Sequence, residues 1–435
     1  MEYRNYLRWL GQLNRSDREM VQDLLRHKAI QRLGSLRHLG FASSRRHTLV
    51  HDRLYHTLLT VSSLVSLLDS ITFVPAEIKR HLLATAILQD VGHTPFSNSL
   101  REAFPLFSPH DNTFELPADR SRTISIISYI NESDNLLARH GLEPEIIMEL
   151  LYGKNPWPAY PWAIPLLDGP LDADRLAYVP ADLEAIGQSQ SYMPNLLTSL
   201  MPRDWSSFVT VNRGGEELVT RFVLQRGSLY ANVYQGLTSL ALSRLIGSFL
   251  KAVWADNLGA LDQRYNSPKT PEEFLEWTDE SLPRMLDSIR LESPYNNLWR
   301  FQHLLRTNGF VAANLSLRMR KENPDVLDSQ LEQVDLPNFP YGLFWKIASR
   351  ELPTLQWYAP SSILVHNRGS YEPLEKRVKI IQNLSQVYRR QPILIFPNTE
   401  LPKILLALDG SDLQLDKLEK LPTAEAIGLF PETPE

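Results

Sequence analysis

Through most of the first 250 residues, apolar positions recur three and four apart, which is the period of an amphipathic helix. VQDLLRHKAIQRLGSLRHLG, HTLLTVSSLVSLLDS and IKRHLLATAILQD carry the pattern, and Asp or Ser at the head of several segments suits an N-cap. Pro-rich stretches, TFVPAE, FPLFSPHDN and NPWPAYPWAIP, break the helices apart. From about residue 215 to 255 the chain predicts one or two long apolar helices. A further helix follows, with Thr270 as N-cap and Pro271 in its first turn. After about residue 330 the period shortens, and SSILVHN and PILIFP predict short strands.

The expected fold class is therefore mainly α. A helical core spans 1–290, and a smaller α+β region at 291–435 suits oligomerisation or regulation. A length of 435 residues agrees with one large core plus an appended piece. Hydrophobic residues at 43% and charged residues at 22% are ordinary for a globular protein. A net charge of −5 supplies no global attraction to nucleic acid or anionic membrane, and the short basic runs RRH and VYRRQ read as solvated surface. With no cysteine, any metal must be held by His, carboxylates and water. No apolar run approaches the roughly 20 residues that cross a bilayer, and the N-terminus is too polar for a signal peptide. The expected location is cytoplasmic.

Four clusters carry candidate chemistry. Arg53 and His56 share RLYHTLL, where a lone histidine is by itself usually a packed one. Gln89, Asp90 and His93 share ILQDVGHTPFS, in which a helix ends at Asp90 and Gly92 interrupts it. A carboxylate at a helix C-terminus opposes the macrodipole, so Asp90 calls for a counter-charge such as a cation. Asp174, Tyr178 and Asp182 recur every four residues and so line one helix face, either a solvated face or a functional one. Arg226, Tyr230 and Tyr234 repeat that spacing, as buried packing with a snorkelling arginine or as a phosphate and sugar contact.

Taken in order, these clusters resemble the HD-domain superfamily. The match is nearest to its dGTPase-like branch, which includes the SAM-and-HD-domain dNTP triphosphohydrolases. IQRLGSLRHLG resembles that branch's opening phrase, Arg53 to His56 its R-x-x-H, and Gln89 to Asn98 its HD-x-GH-x-PFSH. Asp172 to Asp182 resembles its DxDrxDYxxRD, and Arg226 to Gly236 its arginine-and-tyrosine phrase. His110-Asp111 stands for a later His-Glu, and the match covers roughly residues 20–290.

The resemblance implies one divalent metal ion, Mn, Mg, Fe or Zn, at His56, Gln89, Asp90 and Asp174. It implies triphosphate contacts from Arg53, Arg175 and Arg226, and catalytic or phosphate-contacting roles for His93 and His110. It also implies sugar contacts from Gln31, Tyr178, Asp182, Tyr230 and Tyr234. The implied ligands are deoxynucleoside triphosphates, the implied assembly a homo-oligomer, and neither membrane nor nucleic acid is a main partner.

Three departures fall in the metal and proton-transfer positions. The histidine of the HD pair is Gln89, whose neutral oxygen is a poor ligand for iron or zinc and is tolerated by Mg²⁺ or Mn²⁺. The histidine expected after PFS is Asn98, which carries no proton near neutral pH, and the acid three residues on is Arg101. Two readings follow: a metal-dependent phosphohydrolase with an oxygen-rich site, or a catalytically impaired nucleotide-binding sensor or scaffold.

Overall fold

The structure is a computed structural model that describes residues 9–45, 51–107, 117–188, 190–206, 208–255, 266–288, 309–317, 348–352, 363–367, 369–378, 389–400, 402–403 and 413–422. The principal helices are α1 (Arg15–Arg26), α2 (Arg53–Asp69), α3 (Ala76–Leu88), α4 (Ala118–Asp134), α5 (Pro144–Leu151) and α6 (Ala173–Ala185). They continue as α7 (Glu216–Leu229), α8 (Leu237–Ala255), α9 (Pro271–Leu275) and α10 (Ser281–Ser288). Their starts follow the expected chemistry. Asp52 caps α2 by accepting from the Tyr55 amide, Asp172 caps α6 by accepting from Arg175, and Thr270 caps α9 with Pro271 directly after it.

The core is built where α2, α3 and α6 meet. From His81 to Leu88 α3 is buried all round, with Leu82, Leu83, Ala84, Ala86, Ile87 and Leu88 at 1% exposure or less, which makes this part a central helix with no wet face. α2 packs Val61, Leu64 and Val65 into the same core. α7 does not run straight into α8. Tyr230–Tyr234 forms a π-helical turn between them, a widening that often marks a functional segment.

Two small sheets belong largely to the C-terminal region. In one, β1 (Val209–Asn212) pairs parallel with β4 (Ile363–Asn367), and β4 pairs antiparallel with β5 (Ser370–Pro373). The other is antiparallel in the order β3-β6-β2-β7, from β2 (Phe310–Leu317), β3 (Ala348–Leu352), β6 (Arg389–Pro397) and β7 (Leu413–Lys420). The molecule is thus mainly helical with a smaller α+β C-terminal region. Among the described residues no helix is long and apolar enough to cross a membrane.

Candidate active site

A cavity of about 630 Å³ opens between the ends of α2, α3 and α6 and the sides of α7 and α8. His56 points inward from α2 beside Arg53, one turn earlier and buried with it. His56 Nε2 lies 2.8 Å from Asp174 Oδ1 and 3.5 Å from Asp90 Oδ2. The three residues come from three separate segments, and His56 and Asp174 are 118 positions apart. Gln89 is the C-cap of α3 and lines the same cavity.

The counter-charge that Asp90 calls for is a guanidinium. Arg53 Nη1 donates to Asp90 Oδ2 at 3.0 Å, Nε to Ser97 Oγ at 3.0 Å and Nη2 to the His38 carbonyl at 3.3 Å. Burial works against the ionised carboxyl, but Arg53, His93 and His56 together hold the Asp90 pKa well below the usual carboxylate range. His93 Nε2 sits 3.4 Å from Asp90 Oδ1 and 3.7 Å from Asp119 Oδ2. Burial, reinforced by Arg53, lowers the His93 pKa against the pull of the two carboxylates, so the imidazole is neutral near pH 7.

The turn that carries His93 is tightly bound. Buried Arg32 donates to the carbonyls of Trp277 and His93, and buried Arg122 to those of Gly92, Phe104 and Arg101. Gly92 is required by close approach, because a Cβ there would stand 2.2 Å from the Asp119 carbonyl oxygen and 2.4 Å from the Thr123 nitrogen. Phe96 and Ser97 both adopt left-handed backbone, at φ 55° and 51°. Such strain persists only where surroundings enforce it. Here Asp279 accepts from the Phe96 and Arg37 amides, and Gly40 leaves room for the Phe96 carbonyl.

Across the cavity stand Arg175, Tyr178, Arg226, Tyr230 and Tyr234. Arg226 Nε donates to Tyr178 Oη at 2.8 Å, and its guanidinium lies 5.5 Å from the Tyr230 ring centroid. Arg175 donates to Asp172, and its buried Nε has no hydrogen-bond partner among the described residues. Burial, then Arg226, lowers the Arg175 pKa, while burial above all raises those of Tyr178 and Tyr234, which stay protonated as donors.

Several site expectations need correction. Gln31 is exposed and donates to the Leu25 carbonyl at 2.6 Å, so it does not reach the cavity; His38 and Leu39, farther along the same phrase, do. Asp182 is completely buried behind the wall, where it accepts from the Tyr234 hydroxyl, so its influence on a bound molecule passes through Tyr234. Arg53 lines the cavity, yet its three donor groups already serve protein acceptors. His110 and Asp111 lie outside the described residues.

Sequence reasoning missed Asp119, which enters at the start of α4 and supplies His93 with the carboxylate that Arg101 does not. Arg101 itself lies 3.7 Å from Asp119, and Asn98 lines the cavity nearby. It also missed Arg120, Arg244 and Lys251, three further cations of the lining. The signal for Asp119 was slight: an acid in the first turn of a helix is ordinary capping chemistry.

The donor types at the cavity floor suit a divalent ion, although among the described residues the donor atoms of His56, Asp90 and Asp174 are not gathered within 4.8 Å of one another. His56 Nε2 faces the carboxylates of Asp90 and Asp174, and Gln89 lines the same cavity. A set rich in oxygen favours a hard ion such as Mg²⁺ or Mn²⁺.

No family model matches the chain. It is 25% identical over 229 residues to uncharacterized protein YwfO of Bacillus subtilis, a match spanning 50% of this chain and 48% of that one. It is 24% identical over 239 residues to uncharacterized protein MG461 of Mycoplasma genitalium, spanning 51% and 53%. The chain thus spans about half the length of the curated relatives it matches. Among solved structures, a phosphohydrolase from Bacteroides thetaiotaomicron aligns with a TM-score of 0.68 at 18% identity, covering 87% of this chain and 95% of that one. A hypothetical protein from Aquifex aeolicus aligns at 0.66 and 17% identity, covering 89% and 95%. The chain shares its overall fold with these two solved structures.

Proposed function

We propose that the chain is a metal-dependent phosphohydrolase that converts a deoxynucleoside triphosphate to deoxynucleoside and triphosphate. The observation that carries the reading is the convergence of His56, Asp90 and Asp174 at the floor of a cavity walled by Arg175, Arg226 and three tyrosines. A divalent ion held by His56, Asp90 and Asp174 with Gln89 would supply Lewis-acid polarisation of a phosphoryl oxygen. Arg175 and Arg226 neutralise charge that develops on the phosphate chain, and Arg175 Nε is a buried donor with no hydrogen-bond partner among the described residues. Tyr178, Tyr230 and Tyr234 present ring faces and hydroxyls to a sugar.

Water adds at the α-phosphorus and the bond from that phosphorus to the 5′-oxygen breaks. The neutral His93 imidazole takes the proton of the attacking water, and Asp119 and Asp90 stabilise the imidazolium that results. The proton is then returned to the 5′-oxygen of the departing deoxynucleoside. The same reading takes deoxynucleoside triphosphates as ligands and a homo-oligomer as the working assembly, the latter by analogy alone.

Incubation of the protein with each dNTP and Mn²⁺ or Mg²⁺, followed by chromatography, should yield deoxynucleoside, and Asp174→Asn should abolish it. No release from any dNTP with either ion defeats the enzyme reading. A second reading, a nucleotide sensor without turnover, is favoured by the Arg53–Asp90 pair, which already compensates the carboxylate, and by Asn98 in place of a proton carrier. It predicts dNTP-dependent thermal stabilisation with no product.

A further inference from the structure

Beside the cavity, three buried polar atoms from different segments have no hydrogen-bond partner among the described residues: His38 Nδ1, His51 Nε2 and Asp182 Oδ1. They belong to one group, whose potential ligand atoms all lie within 4.8 Å of one another. We propose that His38, His51 and Asp182 form a structural site for a transition-metal ion of the zinc type. It adjoins the proposed hydrolase site, because His38 lines the cavity and its ring centroid lies 4.3 Å from that of His56, while His51 and Asp182 lie outside the lining.

The backbone builds this arrangement in advance. The His38 amide donates to the His51 carbonyl at 3.1 Å, the Arg53 amide to Leu36 at 2.9 Å, and Arg37 and Asp52 form an isolated antiparallel bridge. The two imidazoles are therefore held side by side, rings stacked with centroids 4.9 Å apart. α6 brings Asp182 beneath them, 3.0 Å from His51 Nε2 and fully buried. Its other oxygen accepts from the Tyr234 hydroxyl, which leaves Oδ1 for the site.

A protonated His51 paired with Asp182 would be the simpler account. It leaves His38 Nδ1 unsatisfied, and the 3.0 Å approach between His51 and Asp182 is not aligned as a hydrogen bond. One cation satisfies all three atoms together, and buried polar groups rarely go unpartnered. Ligands about 2.1 Å from a tetrahedral ion stand ~3.4 Å apart, a spacing these side chains reach with small adjustments. Two imidazole nitrogens and one carboxylate favour zinc, cobalt, iron or manganese over magnesium. Bound there, the ion would staple the segment around His38 and His51 to α6 and fix the tyrosine wall through Asp182.

The full-length chain, freed of metal with a chelator and titrated with Co²⁺, tests the proposal by visible absorption and by metal content after dialysis. The expected result is that His51→Gln and His38→Gln each lose one equivalent of Co²⁺ per chain with its absorption bands, while His56→Gln keeps that equivalent. Unchanged Co²⁺ content in both variants overturns the site. So does a wild-type chain that binds no Co²⁺, or an equivalent lost from His56→Gln alone. Circular dichroism confirms that each variant is folded. A chain that hydrolyses no nucleotide yet loses Co²⁺ in His51→Gln keeps this site and loses the hydrolase reading.

Discussion

The buried Arg53–Asp90 pair is the most exposed to measurement of all the contacts around the cavity. At 3.0 Å, two unit charges attract by ~5 kcal/mol in a medium of effective dielectric about 20. Desolvation of two groups that are 5% and 10% exposed takes back part of that, leaving a coupling of about 3 kcal/mol. Removing either partner costs more than the coupling, because it strands the other charge; Arg53→Gln and Asp90→Asn should each lose roughly 3–5 kcal/mol. The double variant should then fall short of the sum of the two losses by about 3 kcal/mol.

Urea unfolding of the four proteins at neutral pH supplies all the terms of this cycle. The pH dependence adds a second check with a definite sign. Asp90 has a depressed pKa, so its contribution is present above about pH 4 and fades as the pH falls. The deficit of Arg53→Gln should therefore shrink in acid. Losses that add within ~0.5 kcal/mol would refute the reasoning, since additivity is the behaviour of groups that do not interact.

Other consequences follow from the same geometry. Gly92→Ala drives a methyl group into the backbone of α4 at Asp119 and Thr123, and unfolding should show a loss of roughly 3 kcal/mol; a loss under about 1 kcal/mol would mean that the contact is not tight. Asp279, whose pKa burial raises to about 6, holds its proton more tightly in the folded chain, so its contribution is complete below about pH 4 and lost as pH rises through 6. Stability of Asp279→Asn relative to wild type should accordingly rise by about 2–3 kcal/mol between pH 4 and pH 8, and a flat difference contradicts this. Asp119→Asn removes one carboxylate facing His93, and turnover should drop on the order of 100-fold with the native helix content retained; full activity would exclude Asp119 from the proton path.

Much of this architecture is legible along the chain because it is local. The caps at Asp52, Asp172 and Thr270 and the strands around Ile363 and Ile395 follow from short-range pattern. The meeting of His56, Asp90 and Asp174 does not; the order of the motifs suggests it only through their resemblance to a family, and the distances among them support it. What escapes sequence reasoning is whatever depends on depth. Helical spacing puts Asp174, Tyr178 and Asp182 on one face, yet α6 packs so that the first two border the cavity and Asp182 is sealed behind it. Gln31 and His38 lie in one phrase, and only the turn and bridge that follow Gln31 decide which side chain faces inward. Arg32 and Arg122 look like ordinary surface cations, and their burial against carbonyls of the His93 turn needs three separate segments in place.

The central claim is water attack at the α-phosphorus by a site built on His56, Asp90 and Asp174. Hydrolysis of a dNTP in ¹⁸O-labelled water with Mn²⁺, followed by mass analysis of the products, tests it directly. The account predicts one labelled oxygen in inorganic triphosphate and none in the deoxynucleoside. Label in orthophosphate or pyrophosphate, or no labelled product from any dNTP, would contradict it.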